Sequence, residues 1–181
     1  MRSQCNVVML IAALLLVPNG GVKAEEQGCN MTFTERNWAA PVSNIPGHYV
    51  DRTLGVHIAD IDGDGNMDLA SASYNDDKIA WYENTNGDGS VWQVHVVTTD
   101  ADGAYSVHAA DIDGDGDMDL ASAPGNLYKI IWYENTDGNG SAWQVHEVAT
   151  DAHGAVSVFI ADIDGDGDMD LAGASYNDHK I

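Results

Sequence analysis

From Gly55 onward the chain is divided into short segments of strand character by clusters of Gly, Asn, Asp and Ser. In the first group the pattern predicts strands over Gly55–Ala59, Met67–Ser73, Lys78–Glu83 and Val91–Val97. Alternation within Lys78–Glu83 puts Ile79 and Trp81 on one face and Ala80 and Tyr82 on the other. Neither face is polar, so the strand is expected to be covered on both sides. Asn84-Thr85-Asn86-Gly87-Asp88-Gly89 follows, and residues of these types tolerate positive φ, which marks a hairpin between the third and fourth strands.

The whole pattern then returns. Asp60 to Asp68 recurs as Asp111 to Asp119 and as Asp162 to Asp170, at a period of 51 residues. The register also holds outside these stretches: Trp81 matches Trp132, Trp92 matches Trp143, His95 matches His146, and Lys78 matches Lys129 and Lys180. A duplicated unit of four strands with both faces covered predicts an all-β fold, a β-propeller whose four-stranded blades pack face to face. A β-sandwich ranks behind it, because a sandwich does not require identical copies at fixed spacing. The third copy stops at Lys180-Ile181, where its third strand should begin. About two and a half repeats against the roughly 4 to 8 blades of a closed propeller give the expectation of an incomplete ring over residues 43–181. His48-Tyr49-Val50 precedes the first loop much as His95-Val96-Val97 precedes the second, making residues 43–50 a candidate outer strand.

Ahead of the repeats, Arg2 is followed by an apolar run from Val7 to Val17 and then by Pro18, Asn19, Gly20 and Gly21. This is the layout of a secretory signal peptide, with Val22 and Ala24 as small residues before a cleavage site. The run is well short of the roughly 20 residues of a membrane span. Residues 1–24 are therefore read as a signal, 25–42 as a linker, and the mature protein as secreted, extracellular or at the cell surface, without membrane insertion. Cys29 is the one cysteine left in the mature part of the given chain, free or paired with another chain or with a cysteine beyond the end of this sequence; Asn30 and Asn139 head glycosylation sequons.

The formal charge is −22, and losing Arg2 and Lys23 with the signal takes it to −24. Such a surface repels nucleic acid and anionic membranes. With 44% hydrophobic residues, five Trp and seven Tyr, the chain is nevertheless expected to pack, so its acid must be organised. In Asp111-Ile-Asp-Gly-Asp-Gly-Asp-Met-Asp119 carboxylates stand at positions 1, 3, 5 and 9, with Gly at position 6 for a sharp turn. Calcium takes about 6 to 8 oxygens in flexible geometry, which these side chains, a carbonyl at position 7 and water can supply. The candidate metal ligands are thus Asp60, Asp62, Asp64, Asn66 and Asp68; Asp111, Asp113, Asp115, Asp117 and Asp119; and Asp162, Asp164, Asp166, Asp168 and Asp170. An EF-hand needs Glu at position 12, where Ser71, Ser122 and Gly173 stand. Magnesium prefers rigid octahedral geometry and fits less well. Two carboxylates about 5 Å apart repel by roughly 1 to 3 kcal/mol, so these loops are expected to need a cation to close.

Ala59 to Ala70, followed by Trp81-Tyr82-Glu83-Asn84, resembles the FG-GAP and VCBS-type repeats, and similar loops occur in integrin alpha-subunit propellers. The resemblance covers about residues 55–181. It implies a propeller with calcium between the first and second strands of each blade, held at positions 1, 3, 5, 7 and 9. The units have no clear Phe-Gly and Gly-Ala-Pro pair, Ala123-Pro124-Gly125 being the nearest echo, which favours the VCBS-like side.

His57 and His108 correspond to Phe159, a swap that packing tolerates and catalysis does not. His48, His95 and His146 lie on outer strands and are expected to pair across blades or to face solvent. Trp81, Trp132, Trp92 and Trp143 are read as packing between blades ahead of sugar stacking. The chain has no nucleophile constellation, phosphate loop or zinc spacing. The leading expectation is a non-catalytic module with structural calcium that binds an extracellular protein or glycan, as in adhesion. The alternatives are the propeller portion of a larger carbohydrate-active enzyme and a surface spacer.

Overall fold

The computed structural model describes residues 23–24, 31–32, 51–177, 179 and 181. Most of the expected signal segment, Cys29, Asn30, His48 and the candidate strand 43–50 lie outside the described residues. The chain divides into two compact units, Met1–Ala40 and Pro41–Ile181. In the first, β1 (Lys23–Ala24) pairs antiparallel with β2 (Met31–Thr32). No helix among the described residues is long and apolar enough to cross a membrane.

The second unit is all-β. Its first sheet is a meander of β3 (Thr53–Ala59), β4 (Asp68–Ser73), β5 (Lys78–Glu83) and β6 (Gln93–Thr98). A second meander repeats it as β7 (Ala104–Ala110), β8 (Asp119–Pro124), β9 (Ile130–Asn135) and β10 (Trp143–Ala149). A third sheet holds β11 (Ala155–Ala161) and β12 (Asp170–Ser175). All pairings are antiparallel, and the sheets are blades of a propeller that do not close into a ring. The expected strands are found, with the fourth starting at Gln93 rather than Val91: Trp92 instead caps the hairpin, donating from Nε1 to the carbonyl of Gly89 at 2.9 Å.

Successive blades meet along their first strands, β3 against β7 and β7 against β11. The approach is close enough that a Cβ on Gly55 would lie 2.8 Å from the Cα of Ser106, so the position requires glycine. Between the first two blades Ile61, Ile79, Trp81, Val107, Leu120 and Tyr133 form one apolar core, and between the second and third Ala121, Ile130, Val158 and Ile160 form another. The double-sided burial expected of Lys78–Glu83 is realised, with Ile79, Ala80, Trp81 and Tyr82 at most 1% exposed. In β3, by contrast, Val56 and Ile58 are 60% and 63% exposed, whereas their counterparts Val107, Ala109, Val158 and Ile160 are buried against a preceding blade.

Two expectations about side chains change. His95 and His146 do not cross between blades, and they face solvent only in part, their side chains being 26% and 32% exposed. Register places His95 opposite Trp81 and His146 opposite Trp132, so each imidazole stacks on the indole of its own sheet, at 4.2 and 4.3 Å between centroids. Each Nε2 also contacts a carboxylate two residues along that neighbouring strand, Glu83 at 2.9 Å and Glu134 at 2.6 Å. Of the tryptophans, Trp81 is fully buried between blades and the half-buried Trp143 packs against that same core as expected, while Trp92 and Trp132 are half-buried.

Candidate metal centre

Each acidic loop joins the first strand of a blade to its second, and the last Asp of the loop fixes it there. Asp68 accepts the Ile61 N–H at Oδ2 (3.0 Å) and the Asn84 N–H at Oδ1 (2.8 Å). Asp119 repeats this with Ile112 (3.1 Å) and Asn135 (2.8 Å). One buried carboxylate thus ties the loop entrance to the hairpin after the third strand. The Asn side chain continues the connection: Asn84 Nδ2 donates to the Met67 carbonyl, and Asn135 Nδ2 donates to the carbonyls of Met118 and, across the blade junction, Ile61. The structure adds Asn84 and Asn135 to the residues that shape the site. The signal for them is the Trp-Tyr-Glu-Asn run, which is constant in both complete copies.

Within the loops the first Asp folds the chain over itself. Asp60 Oδ2 accepts the Gly65 N–H at 3.0 Å, and Asp111 and Asp162 accept from both glycines of their loops. The second of those glycines has φ of +91, +100 and +101° at Gly65, Gly116 and Gly167, a left-handed conformation that a side chain would strain.

These turns gather carboxylates. Asp60, Asp62 and Asp68 offer oxygens within 4.8 Å of one another, as do Asp111, Asp113 and Asp115, and Asp162, Asp164 and Asp170. Asp64 is turned aside by bonds from the Asn66 N–H (2.7 Å) and Nδ2 (2.9 Å). Asn66 and Asp117, at position 7, lie against Gly87 and Gly138 of the adjoining hairpin. Asp119, Asp166 and Asp168 are not part of the tight groups.

Crowding and burial make the anionic state costly. Burial holds the Asp68 and Asp119 carboxyls above the ordinary range, against the lowering effect of the two N–H groups each accepts. Asp62 is raised by burial and then by the charges of Asp64, Glu83 and Asp60; Asp113 is raised by burial and then by Asp115, Glu134 and Asp111. Asp60 Oδ1 is buried and has no hydrogen-bond partner. A cation would satisfy that oxygen and reverse the sign of the repulsions, so the donor set suits a hard metal ion.

A family model described as FG-GAP-like repeat matches residues 60–122 and 121–173. No curated protein and no solved structure matches the chain.

Proposed function

The chain belongs to the FG-GAP-like repeat family, and we propose that it is a secreted, non-catalytic β-propeller module that binds an extracellular protein or glycan and is held rigid by calcium. The observation that carries the metal reading is the buried, unpartnered Oδ1 of Asp60 inside a group of three carboxylates. A buried carboxylate oxygen without a donor is expensive, and three anions within 4.8 Å multiply the cost. When bound, calcium supplies the compensating charge and no chemistry beyond it.

Asp60, Asp62 and Asp68 would hold the ion in the first loop, Asp111, Asp113 and Asp115 in the second, and Asp162, Asp164 and Asp170 in the third. Asp64, Asp119 and Asp166, and the carbonyls of Asn66, Asp117 and Asp168, complete the proposed ligand sets. The oxygen-only donor set favours calcium over softer metals. Secretion is supported by the amino-terminal sequence pattern, and a binding role by the scaffold-like repetition of the blades.

The test is thermal unfolding of the chain in chelator, in calcium and in magnesium. Calcium is expected to raise the melting temperature in a concentration-dependent way and magnesium to do so less. An unfolding curve that ignores both chelator and calcium sinks the metal reading. Recovery of the protein from culture medium, cleaved after Ala24, tests secretion separately.

A further inference from the structure

We propose that Asn139, in the hairpin between β9 and β10, is a modification site whose carboxamide nitrogen carries an N-linked oligosaccharide. The inference rests on the secretion reading, because the lipid-linked sugar donor is met on that route. Asn139-Gly140-Ser141 is the Asn-X-Ser pattern that the transfer requires. The pattern alone is weak, since the same residue types build ordinary hairpin turns. What separates the two readings is the use to which the fold puts each atom of the side chain.

The structural asparagines of these hairpins put their nitrogen to work. Asn135 donates from Nδ2 to the carbonyls of Ile61 and Met118 and accepts the Gly140 N–H at Oδ1. Asn84 does the same with the Met67 carbonyl and the Gly89 N–H. Asn86 Nδ2 donates to Ser90 Oγ at 2.7 Å. Asn139 is exposed and uses only its oxygen, which accepts the Ser141 N–H at 3.1 Å; among the described residues its nitrogen has no acceptor. The first hairpin shows that the turn does not need this nitrogen. Asp88 stands at the matching position, and its Oδ1 accepts the Ser90 N–H at 2.8 Å.

A sugar on Nδ2 therefore displaces none of the hairpin's hydrogen bonds. Ser141 and Ala142 beside it are exposed as well, while the buried neighbour, Gly140, turns the other way and accepts from Trp81 of the first blade. The site thus lies at the junction of the two four-stranded blades. In the transfer, the bond from Nδ2 to the sugar C1 forms as the C1–O bond of a polyprenyl-diphosphate oligosaccharide breaks. The polyprenyl diphosphate leaves with the electron pair, and one amide proton passes to a base. Ser141 Oγ donates to Asp137 Oδ2 in the closed hairpin, so the transfer precedes closure, and folding then leaves the modified nitrogen outside.

The test expresses the full chain, with its amino-terminal segment, in cultured eukaryotic cells and examines it by electrophoresis and peptide mass spectrometry. Treatment with peptide N-glycosidase in heavy-oxygen water is expected to speed migration and to leave a labelled Asp in place of the asparagine at position 139. Asn139→Asp, which copies the first hairpin, and Ser141→Ala, which spares the asparagine, are each expected to abolish the glycan at this position. Asn30→Gln removes the other sequon and is expected to leave it in place. Secreted protein with Asn139 unmodified overturns the site and leaves secretion standing. An unmodified chain retained in the cytosol overturns the secretion reading and the site with it. Asn139→Asp is also expected to melt in calcium at the temperature of the parent chain freed of glycan; a marked fall would show that the nitrogen is structural and counts against the proposal.

Discussion

Trp81 reaches across the junction of the first two blades and donates from Nε1 to the carbonyl of Gly140 at 3.2 Å, sharing that oxygen with Trp143. The ring of Trp81 lies so close to Gly140 that a Cβ there would stand 2.5 Å from Cζ2. At the matching glycine of the first hairpin, Gly89, the nearest atom is an ordinary 3.7 Å away. Both glycines are left-handed, φ +70 and +74°. Gly89→Ala is therefore expected to cost about 1 to 2 kcal/mol, the backbone strain alone, and Gly140→Ala a further 1 to 3 kcal/mol for the displaced indole. Urea unfolding of the two variants checks this; equal losses would show that the junction yields to a methyl group.

The carboxylates that close the loops should be unequal in the same way. Asp68→Ala leaves two buried N–H groups without an acceptor and Asp119→Ala one buried and one half-buried, and a loss of about 2 to 4 kcal/mol is expected from each in chelator. Asp170→Ala removes a single bond at a half-buried position and is expected to cost about 1 kcal/mol. The comparison is made without metal so that lost ligation does not enter. Three equal losses would mean that the staple to the hairpin contributes nothing.

Much of this was legible in the chain because repetition converts weak local signals into strong ones. A single Asp60–Asp68 is one acidic turn, but three at a period of 51 residues define blades, strand order and the place of the loops. What repetition hides is the context of each copy. Val56 and Val107 occupy the same position, yet one is exposed and the other buried, since burial depends on the neighbouring blade. Likewise the sequence pointed to Asp68 as a ligand, whereas its two N–H bonds come from residues 7 and 16 positions away, a relation that only the folded hairpin creates. The partners of His95 and His146 followed from strand register, which alternation alone does not set.

Acidification should expose a second relation along the first strands. His57 and His108 lie with ring centroids 4.1 Å apart, and His108 meets Phe159 at 4.5 Å. Burial, and then the charge of His57, lowers the His108 pKa to about 4; burial also lowers that of His57. The unfolded chain takes up these protons near pH 6.5 and the folded chain does not, so the contribution is complete above pH 6.5 and is lost as the pH falls towards 4. The full shift at His108 corresponds to about 3 kcal/mol, and solvent around the half-buried ring reduces the expected loss to about 1 to 2 kcal/mol. The raised carboxyls of Asp68 and Asp119 act in the opposite sense, stabilising the fold as they protonate, so a single pH curve mixes both. His108→Phe, the residue type already present at position 159, isolates the histidine: it should flatten the difference in stability between pH 7 and 5. An unchanged pH slope counts against the assignment.

The three loops should also differ in their affinity for calcium. The third carries an extra carboxylate at position 7, Asp168, where the first has Asn66, and by formal charge alone it should bind more tightly. Burial argues the other way. In the first loop Asp60 and Asp62 are half-buried and Asp68 is 1% exposed, whereas Asp162 and Asp164 are exposed. A solvated extra charge adds about 1 kcal/mol or less, while attraction at the partly buried group is several-fold stronger. Asp60 Oδ1, already stripped of water and without a donor, has less solvation left to lose on binding. The first loop is therefore expected to fill first and the third last. In a calorimetric titration with calcium, Asp60→Asn should remove the tightest site, and Asp162→Asn the weakest. The reverse order would show that charge count outweighs burial in these loops.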